Sequence, residues 1–358
     1  MGIFKIIMKE KIKVLLLYNE ASPELYKKPI EAKPVMNFKP YFIMDKMTPM
    51  DEFEFMAKKL KKAGLDAYCF NLKDDIYSFL DLVKHNKPDV IFNFAEIFKE
   101  QPRLEMNLVG LYELLGIPYT GAPALALANC QNKFLTKKLL NFHGIKTPKF
   151  WMFERNDFDL NFDFKFPLIV KPAYEDASVG IENDSIVNDV DSLRSRISFV
   201  FKQFNQSAVV EEYIEGREFN VSVMGDLDPV VLPISEIDFK RMPDHLYNIV
   251  SYQAKWDAHH ESYHKTIPIC PAKMSTSLEE KLKKTAIAAF RIMGTRDYAR
   301  VDIRVSNEEK IYVLEVNPNP DLTEGAGFMR SSRTAKMTYT ETLKRLIMLA
   351  YERRERMK

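Results

Sequence analysis

Asp297-Tyr298-Ala299-Arg300-Val301-Asp302-Ile303-Arg304-Val305 and, after a short polar gap, Ile311-Tyr312-Val313-Leu314-Glu315-Val316-Asn317 are the stretches on which the reading of this chain turns. Alternation with period two predicts two strands, with Tyr298, Arg300, Asp302 and Arg304 on one face and Val301, Ile303 and Val305 on the other. Glu315 and Asn317 share a face in the same way. A hairpin with a four-residue loop over 307–310 sets Asp302 directly opposite Glu315. Like charges so opposed destabilise a sheet unless something compensates. Mg2+ is a natural compensation, because it takes one or two carboxylates and fills its octahedron with waters and phosphates. Arg300 beside such an ion suits a transferring phosphoryl group. The plainer alternative is a surface hairpin whose acids are paired by arginine. The rigid Pro318-Asn319-Pro320 stop after Asn317 favours the metal.

Two stretches upstream carry related chemistry. Phe166-Pro167-Leu168-Ile169-Val170-Lys171-Pro172 ends an apolar strand on a lysine, and Glu175-Asp176-Ala177-Ser178-Val179-Gly180 follows as a loop of mostly small residues. One ammonium and several backbone N–H groups can meet phosphate oxygens there; a strand end with a solvated lysine is the alternative. Val209-Val210-Glu211-Glu212-Tyr213-Ile214-Glu215-Gly216-Arg217-Glu218 runs an apolar strand into acids. These are either a charged strand end or acceptors for an adenine amino edge and ribose hydroxyls. No GxGxxG or GxxxxGK[ST] occurs, and Tyr18-Asn19-Glu20-Ala21 follows the first strand, so a nucleotide is expected elsewhere than at that turn.

A chain of 358 residues exceeds the roughly 250–300 that one core supports. Its first 120 residues alternate strands (13–18, 67–72, 88–93) with helices (from Thr48-Pro49, 76–85, 104–115), which predicts an open parallel sheet with helices on both faces. From Pro123 the pattern changes to antiparallel-leaning α+β: a helix over 133–142, strands over 166–171, 208–214 and 218–225, and a helix over 189–203. A third region has a strand over 230–237, an irregular polar stretch through Lys265, a helix over 277–293, the hairpin and a terminal helix over 339–353. Lys plus Arg is 52 against 50 for Asp plus Glu, so charge points to neither nucleic acid nor an anionic membrane as partner. No run reaches the roughly 18 apolar residues of a membrane span. The opening Met1–Met8 stretch is broken by Lys5 and has no cleavage site after it, so no leader is expected. Cys69, Cys130 and Cys270 form no metal spacing, which suits a reduced, cytoplasmic protein.

Lys133, Lys171, Glu211, Glu218, Arg300, Asp302, Glu315 and Asn317, in that order and spacing, resemble the ATP-grasp superfamily, and within it D-alanine–D-alanine ligase and its relatives. The resemblance runs from about 114 to 353 and includes Leu115-Gly116-Ile117-Pro118-Tyr119-Thr120-Gly121, Asn132–Lys137, Ala254-Lys255-Trp256-Asp257 and Cys270-Pro271-Ala272. It implies a Rossmann-like α/β domain over 11–122 followed by an ATP-grasp fold of two α+β subdomains, over 123–226 and 227–355, that clasp the nucleotide. By the same resemblance Glu211 takes the adenine amino group, the backbone of Glu212 and Ile214 the ring, and Glu218 the ribose. Lys133 and Lys171 hold the phosphates beneath a lid of Ser178, Val179 and Gly180. Asp302, Glu315 and Asn317 hold two Mg2+ ions, with Mn2+ as a substitute. Lys255 lies near the terminal phosphate, and Arg300 stabilises charge as phosphate transfers. The implied activity is ADP-forming ligation of a small-molecule carboxylate to an amine through an acylphosphate. Relatives are often dimers through the first domain, which leaves a homodimer open.

Departures fall on the substrate side. The family's Gly-Gly-x-Ser-x-Glu turn is Tyr18-Asn19-Glu20-Ala21-Ser22-Pro23-Glu24 here, and its His-Gly-x-x-Gly-Glu-Asp-Gly segment is Asn93–Glu100. Ala177 stands where a lid serine is usual. Asn319-Pro320-Asp321-Leu322-Thr323 and Ala326-Gly327 replace the Ser-Pro-Gly-Met-Thr run and the substrate-carboxylate serine. A substrate pair other than two D-alanines is expected. A peptide-amine acceptor and a non-catalytic nucleotide-binding protein are the alternatives. His259, His260 and His264 suit a polar lid better than a zinc site, since their segment lacks helical periodicity and a cap.

Overall fold

The computed structural model describes residues 11–22, 48–154 and 165–356. The opening stretch and the Pro23-Glu24 end of the first-strand turn lie outside them. The described residues divide into two compact units, one of 11–22, 48–120 and 340–356, the other of 121–154 and 165–339.

In the first unit β1 (Lys13–Tyr18) lies between its parallel neighbours. Val14 to Leu17 are wholly buried, as a central strand covered on both faces requires. Helix α1 (Pro49–Lys62) starts at a reciprocal cap, Asp51 N–H donating to Thr48 Oγ1 at 3.2 Å and Thr48 N–H to Asp51 Oδ2 at 3.3 Å. Strand β2 (Asp66–Asn71), helix α2 (Ile76–His85), strand β3 (Val90–Phe94) and helix α3 (Glu105–Leu114) follow, and the sheet order is β2-β1-β3. The expected parallel α/β alternation is what the chain adopts.

The second unit opens with α4 (Ala124–Gln131) and α5 (Lys133–Phe142), the latter capped by Asn132 Oδ1 on Leu135 N–H at 3.0 Å. Strands β4 (Phe150–Phe153), β5 (Leu168–Pro172), β6 (Ile186–Val187) and β7 (Ala208–Glu212) make an antiparallel sheet ordered β4-β7-β5-β6. Helix α6 (Val190–Phe204) covers one face through Leu193, Ile197 and Val200 against Leu168, Val170 and Val210.

A larger antiparallel sheet contains β8 (Gly216–Gly225), β9 (Val230–Val231), β10 (Ser235–Asp238), then, after the one-turn helices α7 (Tyr252–Trp256) and α8 (Glu261–Lys265), strand β11 (Ile267–Ile269). Helix α9 (Thr276–Ile292) leads into β12 (Asp297–Ser306) and β13 (Ile311–Pro318). The sheet order is β11-β10-β8-β12-β13, with β9 on β8. β8 joins this sheet by pairing with all of β12, from Gly216↔Ser306 to Gly225↔Asp297, although it precedes residue 226. Gly216 makes the approach feasible: its φ is +141°, and a Cβ there would lie 2.1 Å from the Val305 carbonyl oxygen. Phe219, Val221, Val301, Ile303, Val313 and Val316 face α9. Helix α10 (Gly327–Thr334) precedes α11 (Tyr339–Arg356), whose Arg353 donates to the Tyr119 carbonyl at 3.0 Å within the first unit.

Some expectations needed correction. The strand expected over 230–237 is two short ones, because Pro233 has no N–H to give the ladder and its carbonyl accepts from Cys270 Sγ at 3.4 Å. The polar stretch before Lys265 holds two helical turns, started by Ser251 Oγ on Ala254 N–H and His260 Nδ1 on Ser262 N–H. Helices α4 and α10 escaped notice because Pro123 and Ala326 supply no capping side chain. Among the described residues no helix is long and apolar enough to cross a membrane.

Candidate active site

Period two puts Lys171 of β5 and Glu211 of β7 on the face of the smaller sheet turned away from α6. Glu211, 1 % exposed, sits between two ammonium groups: Lys171 Nζ at 3.1 Å and Lys137 Nζ, from α5, at 3.2 Å. Burial pushes the Glu211 carboxyl up, but Lys137 and Lys171 outweigh it and hold it below its usual range. Burial likewise lowers the Lys137 ammonium. Glu212 N–H donates to the Lys149 carbonyl at 2.9 Å. Lys171, expected at a phosphate, has Glu211 as its partner here, and Lys133 Nζ donates to the Glu175 carbonyl.

That carbonyl belongs to the expected lid. Ala177 and Ser178 have φ of 51° and 65°, and Val179 N–H closes the turn on the Asp176 carbonyl at 2.9 Å. Gly180 follows at φ +73°, where a Cβ would come within 2.6 Å of Pro172 Cγ. Segment 250–256 ties the loop down: Ser178 Oγ donates to the Val250 carbonyl at 2.8 Å, and Trp256 Nε1 to the Ala177 carbonyl at 3.0 Å. Lys255 therefore stands beside the lid.

On the larger sheet β8, β12 and β13 present three polar side chains in register: Asn220 opposite Asp302, and Asp302 opposite Glu315. Asp302 is gripped by Arg300 in a bidentate pair, Nε to Oδ1 at 2.7 Å and Nη2 to Oδ2 at 2.8 Å. Asn220 Nδ2 reaches Oδ1 at 2.8 Å, and Asn317 Nδ2 reaches Oδ2 at 2.9 Å and Glu315 Oε1 at 3.3 Å. One row along, Arg304 holds Glu218 through Nε at 3.0 Å and Nη2 at 2.8 Å, and donates to the carbonyls of Gly216 at 3.2 Å and Ile214 at 3.4 Å.

The expected pairing of Asp302 with Glu315 is present, but by another route. The ladder begins at Val305↔Ile311, one residue away from the four-residue-loop register, and a bulge between Asp302 and Ile303 restores the offset. Leu314 is the extra residue, and its carbonyl accepts from Lys137 Nζ at 3.0 Å. Without the bulge Leu314 would face Asp302, and Glu315 would turn into the apolar core.

The two acids behave oppositely. Burial pushes Glu315 up, but Lys133, Lys255, Lys171 and Arg300 outweigh it and hold the carboxyl down at about 2. Burial pushes Asp302 up to about 6, and the charge of Glu315 adds to it against the opposing pull of Arg300. Burial alone would lower the Arg300 pKa; Asp302 more than offsets it and raises it. A site with hard oxygen donors and one carboxyl displaced upward by burial and by its neighbour's charge is suited to a divalent cation. Asn317 presents its amide to both acids and can offer Oδ1 by turning over. The donor set therefore fits Mg2+, which needs only one or two protein carboxylates when phosphates complete its shell. Among the described residues no group of three or more His, Cys, Asp and Glu side chains is placed to hold a metal. His260 Nδ1 lies 2.7 Å from Ser262 Oγ, and His264 Nε2 lies 2.8 Å from the Ala258 carbonyl.

Sequence reading missed Lys137, Asn220 and Arg304 as members of the site. Period-two spacing from Glu218 and Asp302 could have found Asn220 and Arg304. Lys137 lies one helical turn from Lys133, but nothing local shows that it is buried.

The profile described as "D-ala D-ala ligase C-terminus" matches residues 139–348. The D-alanine–D-alanine ligase of Desulforudis audaxviator is 32% identical over 250 residues, covering 68% of this chain and 76% of that protein. An uncharacterized protein, y4sG, of Sinorhizobium fredii is 31% identical over 264 residues, covering 74% and 75%. In three dimensions the chain is similar to the crystal structure of the D-alanine–D-alanine ligase from Bacillus anthracis complexed with ATP, with a TM-score of 0.68 and 23% identity over 97% of this chain and 100% of that one. That likeness carries the fold; the sequence matches carry the family. The chain belongs to the D-alanine–D-alanine ligase family, ATP-dependent enzymes that join a carboxylate to an amine and release ADP.

Proposed function

We propose that ATP lies between the two sheets of the second unit and that the acid and amine joined are not a pair of D-alanines. The observation that carries this reading is the direct pairing of Asp302 with Glu315 beside Arg300, under the charges of Lys133, Lys171 and Lys255. Glu211, the backbone of Glu212 and Ile214, and Glu218 line the base and ribose end. Lys133 and Lys171, with Ser178, Val179 and Gly180 of the lid, line the phosphate end. Both lysines now rest on protein oxygens, so each is held where an anion can take over its partner. Asp302, Glu315 and Asn317 would hold two Mg2+ ions, which when bound neutralise phosphate charge and make the γ-phosphorus more electrophilic.

The substrate carboxylate oxygen attacks the γ-phosphorus and ADP leaves. The amine nitrogen then attacks the acyl carbon, phosphate leaves, and the amine gives up a proton. Arg300 neutralises charge that builds on the transferring group and on the acyl oxygen, with Lys255 near the terminal phosphate. The closed lid keeps water from the acylphosphate. Ala326, at the start of α10, has no hydroxyl where relatives carry a serine for the substrate carboxylate, and Asp321 turns back onto Thr323 N–H at 2.8 Å and Oγ1 at 3.0 Å. Both features support a different pair of small molecules; the cytoplasmic setting that goes with this proposal is supported by Cys69, Cys130 and Cys270, which form no disulfide. The test is ADP release with Mg2+ across pairwise arrays of amino acids, dipeptides and small carboxylates. A pair that outpaces D-alanine alone is the expected result, and D-alanine as the best substrate would overturn the substrate reading. Glu315→Gln turning over near the native rate would overturn the metal assignment.

A further inference from the structure

Lys137 is 1 % exposed, and its ammonium lies 3.2 Å from Glu211 Oε1 and 3.0 Å from the Leu314 carbonyl oxygen. A buried lysine is costly unless its charge and its hydrogen bonds are both met, so its partners account for its presence. Neutralising Glu211 does not by itself require it, because Lys171 already stands 3.1 Å from the other carboxylate oxygen. The bond that Lys137 contributes and Lys171 does not is the one to Leu314. Leu314 is the residue that the bulge leaves outside the β12–β13 register. Val313 and Val316 both face the core, so the bulge is written into β13 by its apolar pattern. That pattern leaves open where the freed carbonyl points, and a donor fixes it.

We infer that Lys137 is a positioning residue whose ammonium ties Glu211, on the smaller sheet, to the bulge of β13, and so holds Glu315 opposite Asp302. The inference rests on the nucleotide reading above and extends it: the end of the site that meets the base and the end that meets the metal share one cation. Nothing is transferred through Lys137. It acts by keeping two carboxylates in place, so its loss is felt at both.

The test uses the full-length protein with a nonhydrolysable ATP analogue, and Mn2+ as the spectroscopic probe of the metal end. Glu211→Gln is expected to weaken the analogue while leaving Mn2+ affinity at saturating analogue near that of the unaltered protein. Lys137→Met/Glu211→Gln removes the wholly buried ammonium together with the carboxylate, leaves Lys171 the glutamine oxygen as acceptor, and is expected to fold, yet to bind Mn2+ about tenfold or more weakly than Glu211→Gln alone, the scale of losses when a metal ligand loses its support. Lys137→Arg, which keeps a donor for Leu314, is expected to recover most of that affinity. A role limited to balancing the charge of Glu211 predicts equal Mn2+ affinity in the double and the single variant, and that result would overturn the inference. Unchanged analogue binding by Glu211→Gln would instead overturn the nucleotide reading, whatever the Mn2+ titration gives.

Discussion

Asp302→Asn is expected to stabilise the metal-free protein while abolishing its activity. The Asp302 carboxyl rises from 3.8 to about 6 because burial and the neighbouring Glu315 charge outweigh Arg300. At roughly 1.4 kcal/mol per pH unit, keeping it ionised above pH 6 costs about 3 kcal/mol relative to the unfolded chain. Below pH 3.8 the group carries a proton in both states and costs nothing. Wild-type stability therefore falls as pH rises from about 4 to about 6, and the asparagine variant escapes that fall. Glu315 has the opposite sign: its carboxyl, held at about 2 instead of 4.5 by surrounding cations, adds stability that is lost only as pH drops below 4.5 toward 2. Asparagine also keeps a polar group for Arg300 and Asn220 while removing the like charge beside Glu315. Urea unfolding in EDTA at pH 8 and at pH 4 measures the difference. The variant is expected to be more stable by about 3 kcal/mol at pH 8 and equal at pH 4. With Mg2+ and ATP analogue the wild type gains stability by mass action and the variant does not. A variant less stable than wild type at pH 8 without metal would refute the electrostatic reasoning. Undiminished ADP release would refute the metal role.

Metal-dependent stabilisation of the wild type is expected to weaken below about pH 6, where the ion must displace a proton from Asp302; thermal shifts with Mg2+ at pH 5 and pH 7.5 check this. Arg304→Met leaves Glu218 buried without its cation and should cost about 3–5 kcal/mol in denaturant unfolding. Much of that should return when Glu218→Gln is added. Gly180→Ala places a methyl 2.6 Å from Pro172 Cγ at φ +73°, and kcat for ADP release should fall as the lid is displaced. Trp256→Phe loses the indole bond to the Ala177 carbonyl, worth about 1 kcal/mol, and should raise the KM for ATP by about fivefold.

The two units leave very different kinds of signal in the sequence. The parallel sheet of the first unit was legible because Lys13–Tyr18 and its neighbours are short apolar runs punctuated by caps, and burial on both faces leaves that mark in composition alone. The helices expected over 133–142 and 277–293 are Lys133–Phe142 and Thr276–Ile292. Period two on β12 separated the charged face from the valine face before any contact was known. The likeness of Lys171, Glu211, Arg300, Asp302, Glu315 and Asn317 to the ligase pattern points to the candidate site. In these parts the side chain's own chemistry and its local repeat carry the information.

Only the folded arrangement decided the rest. β8 could have paired with β7, its neighbour in the chain, but its ladder runs along β12, some eighty residues later. The hairpin register depends on a bulge at Leu314 whose apolar pattern does not say where the freed carbonyl points, and the donor that meets it, Lys137, comes from a helix more than 170 residues earlier. The pKa of Asp302 and that of Glu315 diverge because burial and the Glu315 charge outweigh the single cation Arg300 at Asp302, whereas Lys133, Lys255 and Lys171, from distant segments, join Arg300 at Glu315. Local propensity is a property of adjacent residues. Strand partnership, bulges and the charge around a buried carboxyl arise from residues that meet only after the chain has closed on itself.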